Sequence, residues 1–241
     1  MGSNKIRLNV LAIAAHRDDT EIVSGGTIIK LVDLGYAVGI LDLTAGESGS
    51  RGDAGSRARE AECAAKVMGL KYRHNLGFPD AGLYDTQENA LKVATIIREV
   101  RPEMVILPYW KQRHPDHATA CDIGYRGCFL AGLDKMPIPG EAFRPRKIIY
   151  STSFHDVAPS IVVDITNQFE RKCKAVACYE TQFEEKPDKR EVYPPARNIF
   201  DYMEIRNRQY GYMIGTRYAE CFIQKEKMEV DDPLKLPGKS I

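Results

Sequence analysis

The sequence predicts one α/β domain over residues 1–241, a mostly parallel sheet flanked by helices with its active site at the C-terminal ends of the strands. Three observations predict it. Short apolar runs alternate with segments of helical periodicity over roughly the first 170 residues, the pattern of strand–helix–strand units. Two of those runs end in histidine and carboxylate clusters, His16-Arg17-Asp18-Asp19 and His114-Pro115-Asp116-His117. Turn chemistry separates the segments, with no repeat, linker or low-complexity tract between them.

The elements follow in order. Ile6–Ala15 is an apolar run suited to a strand buried on both faces. Thr20–Leu34 places Ile22, Val23, Ile28, Ile29, Leu31 and Val32 at helical spacing and stops at Gly35. Ala37–Leu43 is the second strand. The glycine- and serine-rich stretch Thr44–Ser56 lacks core-building residues and reads as a functional loop at a strand end. Arg57–Gly69 reads as a helix with Ser56 as N-cap, and Lys71–Leu76 as a short strand before the turn Gly77–Gly82. Glu88–Arg101 is a helix halted by Pro102, Met104–Pro108 a strand, and His117–Leu130 a helix. Pro145–Thr152 and Ser160–Ile165 are strands, and Asn167–Phe183 is helical. Lys186–Arg197 is a proline- and charge-rich loop, Asn198–Tyr212 a helix and Arg217–Lys225 a closing strand.

Composition narrows the class. The chain is 44% hydrophobic and 28% charged, which supports a full core in a water-soluble domain. A net charge of +1, without a block of one sign, offers no footprint for nucleic acid or an anionic membrane. No apolar run reaches the length of a membrane span and no leader pattern opens the chain, so the expected location is the cytoplasm. The six cysteines form no C-x-x-C pair and are expected to be reduced, buried small hydrophobes.

A dinucleotide site would carry G-x-G-x-x-G after the first strand; Ala14-Ala15-His16-Arg17-Asp18-Asp19 stands there instead and would repel a pyrophosphate. Asp18 and Asp19 could serve as helix-start acids, but that role leaves His16 unexplained. Three of the five histidines fall in the two clusters. Hydrolytic zinc takes three protein ligands and keeps one open position, which His16, Asp19 and His117 can provide from two loops of one sheet edge. Asp18 is then free to act as general base, His114 as oxyanion stabiliser and acid when protonated, and Asp116 to orient an imidazole. Glu21 is a candidate for sugar binding or for support behind the ligands. Iron, cobalt or manganese would take the same donors.

At these residues the chain resembles the PIG-L/LmbE zinc-dependent N-deacetylases. The resemblance runs through Ser24-Gly25-Gly26-Thr27, Asp42-Leu43-Thr44, Asn75-Leu76-Gly77, Pro79-Asp80 and Tyr218-Ala219-Glu220, so it spans nearly the whole chain. Gly46-Glu47, Arg51-Gly52, Arg113, Cys128–Leu133 and Arg144-Pro145-Arg146 are most similar to the bacillithiol-pathway branch, which deacetylates N-acetylglucosaminyl-malate. The resemblance implies an LmbE-like, Rossmann-like fold. It implies Zn2+ on His16, Asp19 and His117, Asp18 as base, and His114 paired with Asp116. It also suggests Arg57, Arg51 and Arg113 as partners of an acidic aglycone, in keeping with bidentate arginine–carboxylate pairing, and a C-terminal tyrosine, Tyr193 or Tyr202, near the oxyanion. The implied partner is a small amino-sugar conjugate; Cys128–Leu133 is a candidate subunit contact of a homo-oligomer as well as a core segment.

One departure stands out. The family has proline where this chain has Arg17, so no ring stiffens the turn that aims Asp18. A guanidinium beside Asp18 would weaken it as a base. Arg17 is therefore the one feature that favours a non-catalytic metal- or sugar-binding paralogue.

Overall fold

The computed structural model describes residues 6–49, 51–152, 156–183 and 198–235. Lys186–Arg197, with Tyr193, lies outside the described residues. Seven strands form one sheet: β1 (Val10–Ala14), β2 (Val38–Thr44), β3 (Tyr72–Phe78), β4 (Met104–Pro108), β5 (Lys147–Ser151), β6 (Ile161–Asp164) and β7 (Ala219–Ile223). Their spatial order is β3-β2-β1-β4-β5-β7-β6. The first five run parallel, and β7 is antiparallel to both β5 and β6. This is the mostly parallel, helix-flanked α/β architecture expected from the sequence.

Among the described residues, seven helices accompany the sheet: α1 (Asp19–Asp33), α2 (Ala54–Met68), α3 (Gln87–Val100), α4 (Pro115–Ala131), α5 (Phe169–Ala177), α6 (Glu180–Phe183) and α7 (Ile199–Ile214). Strand alternation divides the core between the two faces. Leu11, Ile13, Leu41, Leu43, Val105 and Leu107 pack with α3 and α4. Val10, Ala12, Val38, Ile40 and Ile106 pack with Ile28 and Ile29 of α1, with Ala61, Ala64 and Met68 of α2 and with Ala175 of α5. Burial on both faces explains why these strands read as continuous apolar runs rather than alternating ones.

Several boundaries move for identifiable reasons. α2 starts at Ala54, earlier than expected, because Asp53 is the N-cap: Ser56 N–H donates to Asp53 Oδ1 at 2.8 Å, while Asp53 N–H donates to Ser56 Oγ at 2.9 Å. That reciprocal box makes Ser56 the third helical residue rather than the cap. α4 starts at Pro115, with His114 as N-cap. The expected helix Asn167–Phe183 is split at Cys178 and Tyr179 into α5 and α6. Cys178 is joined to Cys63 of α2 in a disulfide that spans 115 residues of chain, with Cα atoms 5.8 Å apart. This corrects the expectation that all six cysteines are reduced; the other four are free. In Cys128–Leu133, Cys128, Leu130 and Ala131 are core residues and Phe129 is exposed, so most of the segment packs inward.

The order of the strands decides where a site can form. From β1 the chain steps to β2 on one side and later returns to β4 on the other, so β1 and β4 are neighbours at the point of reversal. Their outgoing loops diverge and leave a crevice above the carboxyl ends. His16–Asp19 leaves β1 at that crevice and His114–His117 follows β4.

Candidate active site

The two clusters, distant in sequence, converge. His16 Nδ1 lies 3.2 Å from His117 Nε2 and 3.3 Å from Asp19 Oδ2, while Asp19 Oδ1 lies 3.1 Å from His117 Nε2. Two imidazole nitrogens so close repel through their lone pairs unless a proton or a cation lies between them. With a carboxylate completing the triangle, the donor set fits a divalent cation. Local structure supports the arrangement, because His16 N–H donates to Asp19 Oδ2 at 2.8 Å and folds the Asp19 side chain back toward β1.

The outer nitrogen of His16 is also held. Nε2 donates to Asp80 Oδ1 at 3.1 Å, and Asp116 Oδ2 stands 3.6 Å away. Asp80 follows β3 and accepts Ser48 N–H at 3.0 Å and Ala81 N–H at 2.8 Å. It is a site residue that the sequence reading left without a role. Burial opposes charge on His16, but the Asp19 and Asp80 carboxylates outweigh it and lift the imidazole to about 11. The His16 hydrogen bond holds Asp80 down at about 2.

Asp116 meets His114 through its backbone. Its carboxylate accepts Ala81 N–H at 2.9 Å, and it is its backbone N–H that donates to His114 Nδ1, at 3.2 Å. That bond occupies the Nδ1 lone pair, so the proton of a neutral ring sits on Nε2. Burial and the neighbouring imidazoles His117 and His16 lower the His114 pKa, which favours the neutral ring over the protonated form expected from sequence. The ring stacks on His117, centroids 4.9 Å apart.

Asp18 occupies the N-cap position of α1, yet its side chain makes no capping bond. It faces Arg57 instead, with Nη2 3.2 Å from Asp18 Oδ1. Arg57 is buried and also donates to Gly46 O at 3.0 Å. At Gly46, whose φ is +71°, a Cβ would stand 2.0 Å from Arg57 Nη1, so both the turn and the guanidinium require glycine there. Arg17, by contrast, directs its guanidinium to Ala54 O at the start of α2, 2.8 Å away. The guanidinium beside the candidate base is thus that of Arg57.

The remaining predicted residues are dispersed. Arg51 donates to Gln182 O at 3.3 Å, and Arg113 is exposed immediately before His114. Glu21 is fully buried, which removes it from direct contact with a sugar; it accepts from Arg73 Nη1 at 2.6 Å, and Tyr179 Oη lies 2.9 Å from the same carboxylate oxygen. Burial raises the carboxyl pKa of both Glu21 and its neighbour Asp42. Tyr202 lies on α7 beside Ile22, Val23, Thr152 and Arg206. An apolar cavity lined by Ala14, Ile22, Val23, Ile106 and Pro108 opens next to Asp19 and His117.

Fold and site define a class: α/β proteins with a histidine–aspartate centre at the sheet's point of reversal. The chain belongs to the PIG-L family, described as GlcNAc-PI de-N-acetylase, which its residues 11–126 match. It is 35% identical over 223 residues to a diacetylchitobiose deacetylase of Thermococcus kodakarensis, covering 88% of this chain and 80% of the relative. It is 25% identical over 200 residues to a 4-oxalmesaconate hydratase of Pseudomonas putida, covering 74% of this chain and 76% of that one. Among solved structures, the conserved protein TT1542 of Thermus thermophilus superposes with a TM-score of 0.85 at 37% identity, covering 92% and 97% of the two chains. The protein is accordingly an N-deacetylase of the PIG-L family, a hydrolase of N-acetyl amides.

Proposed function

We propose that this chain is a zinc-dependent hydrolase that removes acetate from an N-acetylglucosamine conjugate and leaves the free glucosamine amine. The observation that carries the proposal is the convergence of His16, Asp19 and His117 within hydrogen-bonding distance of one another, beside an uncapped Asp18. His16, Asp19 and His117 would hold the cation, which when bound polarises the amide carbonyl and makes water acidic near neutral pH. Asp18 takes the proton of the attacking water. His114 Nε2–H donates to the oxygen that gains charge in the tetrahedral state. The proton collected by Asp18 then passes to the departing nitrogen, so that the amine leaves neutral; the acetic acid formed gives its remaining proton to the amine or to solvent and ends as acetate. Arg57 fixes the Asp18 carboxylate in place.

The aglycone proposed first is malate, which makes the reaction a step of bacillithiol biosynthesis. It is supported by Arg113 beside His114 and by Arg51 in the loop after β2, since a malyl group carries two carboxylates for arginine to bind. The 35% relative makes diacetylchitobiose the comparison substrate. The hydratase relative makes water addition to an unsaturated acid the second reaction to assay.

The test is acetate and amine release from N-acetylglucosaminyl-malate, from its inositol counterpart and from diacetylchitobiose, with metal-free and Zn2+-reloaded protein. Release that depends on reloading, together with a loss of 100-fold or more in kcat for Asp18→Asn at unchanged metal content, is the expected outcome (about 10²–10⁴ for a general base). Unchanged release after complete metal removal overturns the proposal. Sugar binding without turnover in the wild type would point to the non-catalytic paralogue instead.

A further inference from the structure

Arg73 lies in the edge strand β3, away from both histidine clusters in sequence, and its side chain is 10% exposed. A guanidinium has five N–H groups, and here each has an acceptor. Nε donates to Asp42 Oδ2 at 2.9 Å, and one Nη2 proton goes to Asp42 Oδ1 at 3.0 Å. Nη1 donates to Glu21 Oε1 at 2.6 Å and to Ala61 O at 3.2 Å. The second Nη2 proton goes to the carbonyl oxygen of Arg17. Tyr179, fully buried at the joint between α5 and α6, meets two of these acceptors: its hydroxyl donates to the same Arg17 carbonyl and lies 2.9 Å from Glu21 Oε1.

The Arg17 carbonyl belongs to the peptide that joins Arg17 to Asp18, in the middle of His16-Arg17-Asp18-Asp19. Pairing Arg73 with Asp42 uses only two of its five donors; a third is spent on the turn itself, and Tyr179 reaches the same oxygen from the end of α5, on the same face of the sheet. Proline would fix φ at residue 17 through its ring. Arginine does not, and a carbonyl gripped by two buried donors fixes the following peptide plane instead.

We propose that Arg73 and Tyr179 are positioning residues that clamp the Arg17 carbonyl, and thereby aim Asp18 at the reacting water and Asp19 at the cation. The inference rests on the reading that His16, Asp19 and His117 hold a metal ion. Partners behind the ligands of a metal centre commonly set its affinity and activity in this way.

The test compares Arg73→Lys, Arg73→Gln and Tyr179→Phe with wild type in three measurements: Zn2+ affinity of the metal-free protein by chelator competition, kcat and KM separately, and melting temperature. Tyr179→Phe removes one oxygen and keeps the ring in the core, so it serves even if Arg73→Gln fails to fold. Expected are Zn2+ affinities lower by about fivefold for Tyr179→Phe and by about 10- to 100-fold for Arg73→Gln. kcat falls in parallel while KM moves little, and Arg73→Lys recovers part of the loss. Variants that melt earlier but keep Zn2+ affinity and kcat within twofold of wild type overturn the clamp. His117→Ala separates the two readings: if it binds Zn2+ as wild type does, the metal centre itself is misplaced. If it loses binding while the Tyr179→Phe and Arg73 variants retain it, only the clamp fails.

Discussion

Replacing Asp80 by asparagine tests the support of His16 most directly. The carboxylate receives His16 Nε2 at 3.1 Å and is itself fixed by Ser48 N–H and Ala81 N–H. The same hydrogen bond, with help from the two backbone N–H groups, holds the Asp80 carboxyl down at about 2. Asparagine keeps the shape and one acceptor but loses the charge, and Asp116 Oδ2, 3.6 Å from the same nitrogen, takes over part of the task. The expected loss is therefore near the lower end of the usual range for such partners, about tenfold in Zn2+ affinity. The double variant Asp80→Asn/Asp116→Asn should approach a hundredfold. Chelator competition gives the affinity and amine release gives kcat/KM, with circular dichroism confirming the fold. If folded Asp80→Asn binds Zn2+ within twofold of wild type and turns over normally, the carboxylate does not support His16 and the assignment of its role is wrong.

Arg17→Pro should leave turnover within about fivefold of wild type, because the Arg17 guanidinium is hydrogen-bonded to Ala54 O and one such hydrogen bond contributes on the order of 1 kcal/mol; a dead enzyme would reveal a direct role for Arg17. Lys172→Met should lower the melting temperature by about 10 °C. Lys172 is fully buried and bonded to Glu220 Oε1 at 2.8 Å and Asn207 Oδ1 at 2.9 Å. Stripping one partner from such a pair costs about 3–5 kcal/mol, at roughly 2–4 °C per kcal/mol for a chain of this size; calorimetry decides, and a shift below about 2 °C contradicts the reasoning. Thiol titration of the unfolded, unreduced protein should find four thiols, in keeping with the Cys63–Cys178 bridge. In the native protein, Cys121 and Cys128 should resist alkylation at pH 8, since burial pushes both thiols up to about 12 and leaves a thiolate fraction of about 10⁻⁴. Six thiols in the unfolded state, or rapid labelling of either residue, would count against this.

The sheet and both clusters were legible because their signals are local. β4 spans Met104–Pro108 as its apolar run predicts, and each cluster follows such a run, the first at once and the second after five intervening residues. What the sequence concealed depends on contacts across the fold. Asp80 reads as an ordinary turn acid, and only its placement beside His16, 64 residues away, gives it a role. Arg73 reads as a polar residue of a half-exposed edge strand until its five acceptors are counted. The direction of the Arg17 side chain could not be read from its neighbours, because the acceptor it finds, Ala54 O, exists only where α2 begins. Asp53 was passed over as a cap since the glycine-rich stretch around it masked where the helix starts. Cysteine pairing is likewise a matter of spatial approach rather than spacing.

Glu220, on the last strand of the sheet, accepts the backbone N–H groups of Gly26 and Thr27 from within α1, at 2.9 and 2.7 Å. α1 is the helix whose first turn carries Asp19. During synthesis, every candidate ligand has left the ribosome long before Glu220 does, yet the helix bearing one of them still lacks its anchor. A nascent chain stalled short of β7 should therefore capture metal poorly, and the completed chain well. If His16, Asp19 and His117 hold a metal ion as proposed, its capture waits on the strand that carries Glu220.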